Sequence, residues 1–362
     1  MLKKLDVFII KKYLTTFFFT AFIFTMIAVV IDISEKLEKF IDEPTTVGEI
    51  IWKYYAAFIP HINWLLWPLF ALISVVFFTS RMAANSEVIS ILNAGVNYRR
   101  FLRPFLLAAG LISLIHAIGN HYFIPLLNKN RIEFEAKYIT KDDNSSQNND
   151  VHIMLHPDEK AFIRYFSRTD STAKDMRLEF YKDGELTEIL LARDAKYIDS
   201  TREWELRNIT EHSFNGMKET LRIEPALVLR RKLNLSPEDF YTIRNYKQTL
   251  TTPQLISFIK KEESRGTGSI GEYIIELHRR SADSATILIL TLIGVAVSSR
   301  KVRGGIGLHL ALGIALGSVF MVLSRFSVTF ASSNIIPPIL GVWIPNLIFL
   351  GIGIILVRFA QK

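Results

Sequence analysis

Six stretches of the sequence each hold about 20 mostly apolar residues, the length a helix needs to cross a bilayer at roughly 1.5 Å of rise per residue. They are approximately Tyr13–Ile33, Tyr54–Thr79, Phe101–Phe123, Ser281–Ser298, Ile306–Phe330 and Pro338–Val357. They exclude the string of soluble domains that 362 residues would otherwise allow. Mean hydropathy is only +0.24 because the polar middle of the chain is averaged with its two apolar ends. The expected fold is an α-helical polytopic membrane protein with six transmembrane helices and an inserted all-β, jelly-roll-like domain. Its parts are residues 1–124 (three spans), 125–269 (the insert) and 270–362 (three spans). The first span is not a cleavable signal, because its apolar run is long and no small-residue cleavage site follows. The absence of Cys excludes a disulfide scaffold and thiol-ligated zinc.

Lys and Arg in the short loops predict orientation. One side carries Lys3, Lys4, Lys11, Lys12, Arg81, Arg99, Arg100, Arg103, Arg300, Lys301, Arg303, Arg358 and Lys362. The short loops of the other side carry only Lys36, Lys39 and Lys53, among several acids between Glu35 and Glu49. The first side is therefore expected to be cytoplasmic, with both termini inside and the insert outside. This distribution accounts for the formal charge of +8 without nucleic acid.

Within the insert, Lys141–Asp150 reads as a loop by composition. After it come short runs rich in β-branched and aromatic residues: Val151–Leu155, Ala161–Ser167, Met176–Lys182, Leu186–Ala192, Ala195–Asp199, Glu203–Glu211 and Lys218–Leu229. His156-Pro157, Asp183-Gly184 and Asn215-Gly216 supply turn chemistry between them. Even spacing without a helical period points to an antiparallel sandwich or jelly roll. Thr252-Pro253 then opens a helix expected to run through Arg265. The sandwich either binds a protein or encloses an amphiphile, and the residues do not separate the two.

Motifs for nucleotide or hydrolytic chemistry are missing: there is no GxxxxGK[ST], no HExxH and no GxSxG. A GxGxxG at Gly266, Gly268 and Gly271 follows a helix rather than a strand, so it reads as a hinge. No catalytic residue, metal site or directly bound cofactor is expected. Between the second and third spans, Arg81–Asn97 predicts a short amphipathic helix. Asn85 or Ser86 would cap it, Glu87 suits its first turn, Val88, Ile91 and Leu92 form an apolar stripe, and Gly95 stops it. Such a helix lies on lipid or docks in a partner's groove.

Charge also gathers where the spans meet the insert's side. Glu276–Arg280 and Arg279–Asp283 are i,i+4 pairs, Arg325 falls in the fifth span, and Asp32 and Lys36 end the first. Intramembrane charge usually faces a cavity or a partner. These groups either staple helices, with Glu276, Asp283 and Asp32 as the acids, or form an anion site. The candidate phosphate ligands are Arg279, Arg280, Arg325, Lys36, Lys39, Lys129 and Arg131. His116 and His121 lie nearby, and His309 reads as structural.

Taken in order along the chain, these features resemble one family, the lipopolysaccharide export permeases LptF and LptG. SEVISILNAGV at Ser86–Val96, ELHRR at Glu276–Arg280 and SSRKVRGGIG at Ser298–Gly307 are similar to its segments. The shape of the first of these favours LptG. The resemblance implies half of the membrane part of an ABC-type exporter in the bacterial inner membrane. It implies a second LptF/LptG-like permease, an LptB-like ATPase dimer that consumes the ATP, and LptC- and LptA-like periplasmic jelly-roll proteins. The cargo would be lipopolysaccharide drawn from the outer leaflet among membrane lipids. Glu87, Val88, Ile91, Leu92 and Gly95 would couple to the ATPase, the cations would face lipid A phosphates, and the insert would accept acyl chains. One departure stands out: where the family places a Lys near the outer end of the first span, this chain has Asp32, with Lys36 and Lys39 displaced along the helix.

Two other classes compete. A mechanotransmitting scaffold would use its sandwich, with a filled interior, to bind a protein. A lipid-modifying enzyme would need paired carboxylates or a His/metal set, and Asp32, Glu276, His278 and Asp283 have no such spacing. Transport fits the physics best. Exposing a lipid chain to water opposes about 0.8 kcal/mol per methylene, so extraction needs both an energy source and a cover.

Overall fold

The structure, a computed structural model, describes residues 3–360 except 43, 140–148, 168–169, 217, 241–245, 267–269 and 303. The loop expected at Lys141–Asp150, the Gly268 hinge, Arg303 and Lys362 therefore lie wholly or mainly outside the described residues. The chain divides into two units. One comprises Met1–Ile139, Lys247–Leu255 and Gly271–Lys362; the other comprises Thr140–Tyr246 and Ile256–Ile270.

The helical unit contains the six expected membrane-crossing helices. Helix α1 spans Lys4–Asp42, about 58 Å at 1.5 Å per residue and far longer than a bilayer's ~30 Å apolar core. A single turn, α2 (Val47–Glu49), passes through a π-helical stretch, Ile50–Tyr55, into α3 (Ala56–Ala84). Helix α4 (Glu87–Asn93) precedes α5 (Tyr98–Ile118). A second π-helical turn, Gly119–Phe123, leads into α6 (Ile124–Phe134), and a third covers Glu135–Ile139. Helix α7 (Thr252–Arg265) has the limits that Thr252-Pro253 predicts. Helices α8 (Ile270–Ser298), α9 (Gly305–Ser332) and α10 (Pro338–Ala360) complete the bundle.

Prolines 60, 68, 104 and 345 sit inside helices, as membrane helices tolerate. The core is built from α1, α3, α5, α8, α9 and α10 around Phe17, Phe70, Val75, Phe105, Ile293 and Phe349. Two thirds (67%) of the most apolar window of α8 is buried, against 17% for α1 and 22% for α9. Helix α8 is therefore the central one, and α1 and α9 show most of their apolar surface to the surroundings. Close approach of α8 to α3 requires Gly294, where a Cβ would stand 2.5 Å from Val75.

The second unit is an antiparallel six-stranded sheet among the described residues. Its strands are β1 (Asn149–His156), β2 (Glu159–Ser167), β3 (Thr172–Lys182), β4 (Glu185–Ile198), β5 (Glu203–Asn215) and β6 (Lys218–Arg231). Each strand pairs with the next, so the order is that of a meander. Asp183 and Gly184 both adopt positive φ, 54° and 83°, giving the two-residue hairpin expected there.

A crease crosses the sheet. The ladder skips Asp175 between β2 and β3, Asp175 and Arg193 between β3 and β4, and Arg193 and Asn208 between β4 and β5. Asp175 and Asn208 have φ of 51° and 54°, left-handed geometry that bends their strands while the register of the ladders stays the same on both sides. Inward residues change parity there: Ala173 gives way to Met176 and Leu178, and Leu206 to Ile209. The two runs Leu186–Ala192 and Ala195–Asp199, which read as separate strands, are one strand through this crease.

The interior of the sheet is filled at one end. Phe240 stacks on Phe166 at 4.0 Å, and the indole N–H of Trp204 donates to the Leu235 carbonyl at 2.9 Å. Along β6, Leu221, Ile223, Leu227 and Val228 are exposed. Asp239 binds Arg265 at 2.7 Å and Lys261 at 2.9 Å, locking α7 to the segment after the sheet. Burial alone would raise the Asp239 pKa, but the hydrogen bonds and charges of Arg265 and Lys261 hold it below the usual carboxylate value.

Candidate functional site

The cations expected at one site occupy two. The first site lies along α8 and α9. Arg279, Ala282, Asp283 and Thr286 of α8 line a cavity of about 180 Å³ with Gly317, Phe320, Met321 and Arg325 of α9. Leu65, Leu66, Pro68 and Leu69 of α3 and Val342 and Asn346 of α10 close it. From Arg279 to Leu290 the cavity follows α8 for about 16 Å at 1.5 Å per residue. Its charged groups, Arg279 and Asp283, come early on α8, and Arg325 comes late on the antiparallel α9. The deeper wall is apolar, apart from Thr286 and Asn346, which hydrogen-bond each other at 2.7 Å.

Arg279 and Arg280 are adjacent but differ in environment. Arg280 is 3% exposed. It meets Glu276 at 3.3 Å, Thr252 at 3.1 Å, and the carbonyls of Lys247 and Leu250 at 3.2 and 2.8 Å. Its fork is thus taken up in holding Lys247–Thr252 against α8, which is a positioning role and not the ligand role expected from sequence. Arg279 pairs with Glu276 at 2.9 Å and retains a third of its side-chain surface. The expected Arg279–Asp283 ion pair does not form within 4.0 Å among the described residues, because Arg279 turns back toward Glu276 at i−3. Arg325 is exposed, and no ion pair of its side chain occurs among the described residues.

The second site joins α1 to α3 and α6. Asp32 is 7% exposed and accepts from Lys36 at 2.6 Å and from the hydroxyls of Tyr54 and Tyr55 at 3.0 Å each. Lys36 also touches the Tyr54 hydroxyl, lies 4.7 Å over its ring, and is 3.7 Å from Glu135. Arg131 binds Glu135 at 3.0 Å and Asn128 at 2.8 Å. The π-helical stretch Ile50–Tyr55 is what aims two consecutive tyrosines at one carboxylate. Lys39 is exposed, and Lys129 is exposed and 4.0 Å from Glu133.

Among the histidines, His116 is fully buried and bridges Trp64 to Ser284, while His121 bonds Thr252. His309 binds the Arg300 carbonyl at 2.9 Å. No group of three metal-ligating side chains occurs among the described residues.

A family model for the lipopolysaccharide export system permease LptF/LptG matches residues 7–358. The chain belongs to the LptF/LptG family. A search of the curated proteins finds no match. LptF/LptG proteins are permease subunits, which agrees with six membrane-crossing helices and an inserted β domain.

The segment of this LptF/LptG chain resembling the coupling motif forms α4. Val88 is 1% exposed and belongs to the bundle core, where Ile91 and Leu92 pack beside it. Val88 therefore anchors the helix to its own bundle, while Ile91 and Leu92 keep part of their surface exposed. The outward face carries Glu87, Ile89, Ser90 and Asn93. Ser86 has φ 63° and makes no side-chain cap, so the expected capping is absent. Asn85 instead donates to Glu87 at 3.3 Å, and Lys301 donates to Ser86 at 3.1 Å. Gly95, at φ 83°, follows the helix end as predicted.

The sequence reading missed Tyr54, Tyr55, Glu135, Asn346 and Ile89. Paired tyrosines at the head of an apolar run signal a membrane interface. Nothing in the run signals that both reach one carboxylate.

Proposed function

We propose that this permease subunit works in an ABC-type exporter that extracts lipopolysaccharide from the outer leaflet of the inner membrane. The observation that carries the reading is the Arg279–Arg325 cavity: two cations at one end of an apolar slot that runs down α8. A phosphorylated, multi-acyl lipid has that polarity. Its headgroup phosphate would meet the guanidiniums, and the acyl chains would lie along Leu69, Phe320 and Met321.

Orientation follows the basic loops, with both termini cytoplasmic and the sheet periplasmic. A chain with no nucleotide motif draws its energy from an LptB-like ATPase dimer, contacted through Glu87 and Ile89 on α4. The broad apolar faces of α1 and α9 are where a second permease and membrane lipids would pack. The sheet would pass acyl chains to LptC- and LptA-like proteins.

The filled interior around Trp204 and Phe240 favours a second reading of the sheet alone. There it would meet the next protein through strand β6 and its exposed Leu221, Ile223 and Val228, without enclosing lipid. Purification from native membranes in mild detergent, with partners and lipids identified by mass spectrometry, tests the whole proposal. Recovery of an ATPase, a second six-span chain and lipopolysaccharide is expected. A folded sample carrying none of these would refute it.

A further inference from the structure

We infer that this chain presents its lipid with a single anion site, so that a headgroup with two phosphates binds it no better than a headgroup with one. The inference rests on the transport reading above and names the substrate class for it.

The argument is one of charge placement. At the α1 site, Lys36 and Arg131 face Asp32 and Glu135 at hydrogen-bond or ion-pair distance, so the cluster is neutral as it stands. Lys36 is further held by Tyr54, through both hydroxyl and ring. A phosphate arriving there would have to displace a carboxylate that two tyrosines pin in place. At the α8–α9 site the balance differs. Arg280 is balanced by Glu276 outside the cavity, and the cavity's own charges, Arg279, Arg325 and Asp283, leave one unit of positive charge, with Arg325 free of any ion pair among the described residues. Lys39 and Lys129 are exposed, where screening gives them little power to discriminate.

The test uses the full chain, purified with its partner subunits in nanodiscs. Binding of monophosphoryl and bisphosphoryl lipid A is compared by native mass spectrometry, with phosphatidylglycerol as competitor. Partner cations contribute equally to every variant, so ratios between variants isolate this chain. Wild type should bind the two lipids within about threefold of each other. Asp32→Asn with Glu135→Gln frees Lys36 and Arg131 and should favour bisphosphoryl lipid by about tenfold, one charge-assisted hydrogen bond. Lys36→Met should change neither affinity by more than about threefold, which keeps the test open if the double variant fails to fold.

A tenfold wild-type preference for bisphosphoryl lipid, or its loss in Lys36→Met, would overturn the single-site inference and leave transport intact. Failure of both lipids to outcompete phosphatidylglycerol would instead remove lipid A as substrate, and the inference with it.

Discussion

Replacing Arg280 by Ala leaves Glu276, 6% exposed, facing one partner fewer and frees four hydrogen-bond acceptors at once. Breaking a buried pair in this way costs about 3–5 kcal/mol. Arg280→Ala should therefore lower the melting temperature of the detergent-solubilised protein clearly. Arg279→Ala and Arg325→Ala should each shift it little and reduce lipid release from proteoliposomes. A melting profile that ranks the three alike would remove the distinction. The sequence placed Arg279 and Arg280 on one helix turn and named Glu276 as the acid of Arg280, since i,i+4 spacing is a property of the helix. Which way each guanidinium turns depends on Thr252 and the Lys247 and Leu250 carbonyls, which spacing does not bring into view.

At the scale of the element, α4 separates anchoring from contact. Val88→Asp places a charge in the bundle core and should impair folding and membrane yield, whereas Ile89→Asp should fold normally and lose the ATPase on co-purification. Retention of the ATPase by Ile89→Asp would exclude that face. Amphipathic spacing located the stripe correctly. It could not say whether the partner of the stripe was another protein or the chain's own spans.

The clamp of α7 supplies a pH dependence. Asp239 is held below its ordinary value of 3.8 when folded, so its contribution to stability is present above that value and lost as pH falls through the folded one. The thermal midpoint of the sheet's circular-dichroism signal should stay level from neutral pH to about 5 and drop below about 4. Asp239→Asn should flatten that acid limb, and an unchanged limb would assign it to other carboxylates. The crease at Asp175, Arg193 and Asn208 explains why one strand reads as two: the unpaired positions reverse the inside–outside alternation without shifting the register, and so imitate a break.

For the whole molecule, topology is open to direct measurement because the chain has no Cys to remove. Ser90→Cys on α4 should react with a membrane-impermeant maleimide only after the inner membrane is opened. Ser200→Cys, in the turn between β4 and β5, should react as soon as the outer membrane is permeable. The reverse pattern would invert the proposed orientation. Six spans and an inserted sheet were legible because both rest on long-range composition and on two simple periods. The division of the cations between two sites was not, because it depends on how α1, α3 and α6 meet.

The π-helical stretch Ile50–Tyr55 has a consequence for how such a chain can diverge. An α-helix turns about 100° per residue, and the wider turn accommodates one residue more. Deleting a single uncharged residue there would close the wide turn, rotate the tyrosine pair relative to α1 and unpin the carboxylate, with every charged side chain still present. Headgroup preference in this lineage can thus drift through an insertion or deletion that looks silent in any inventory of ionisable residues.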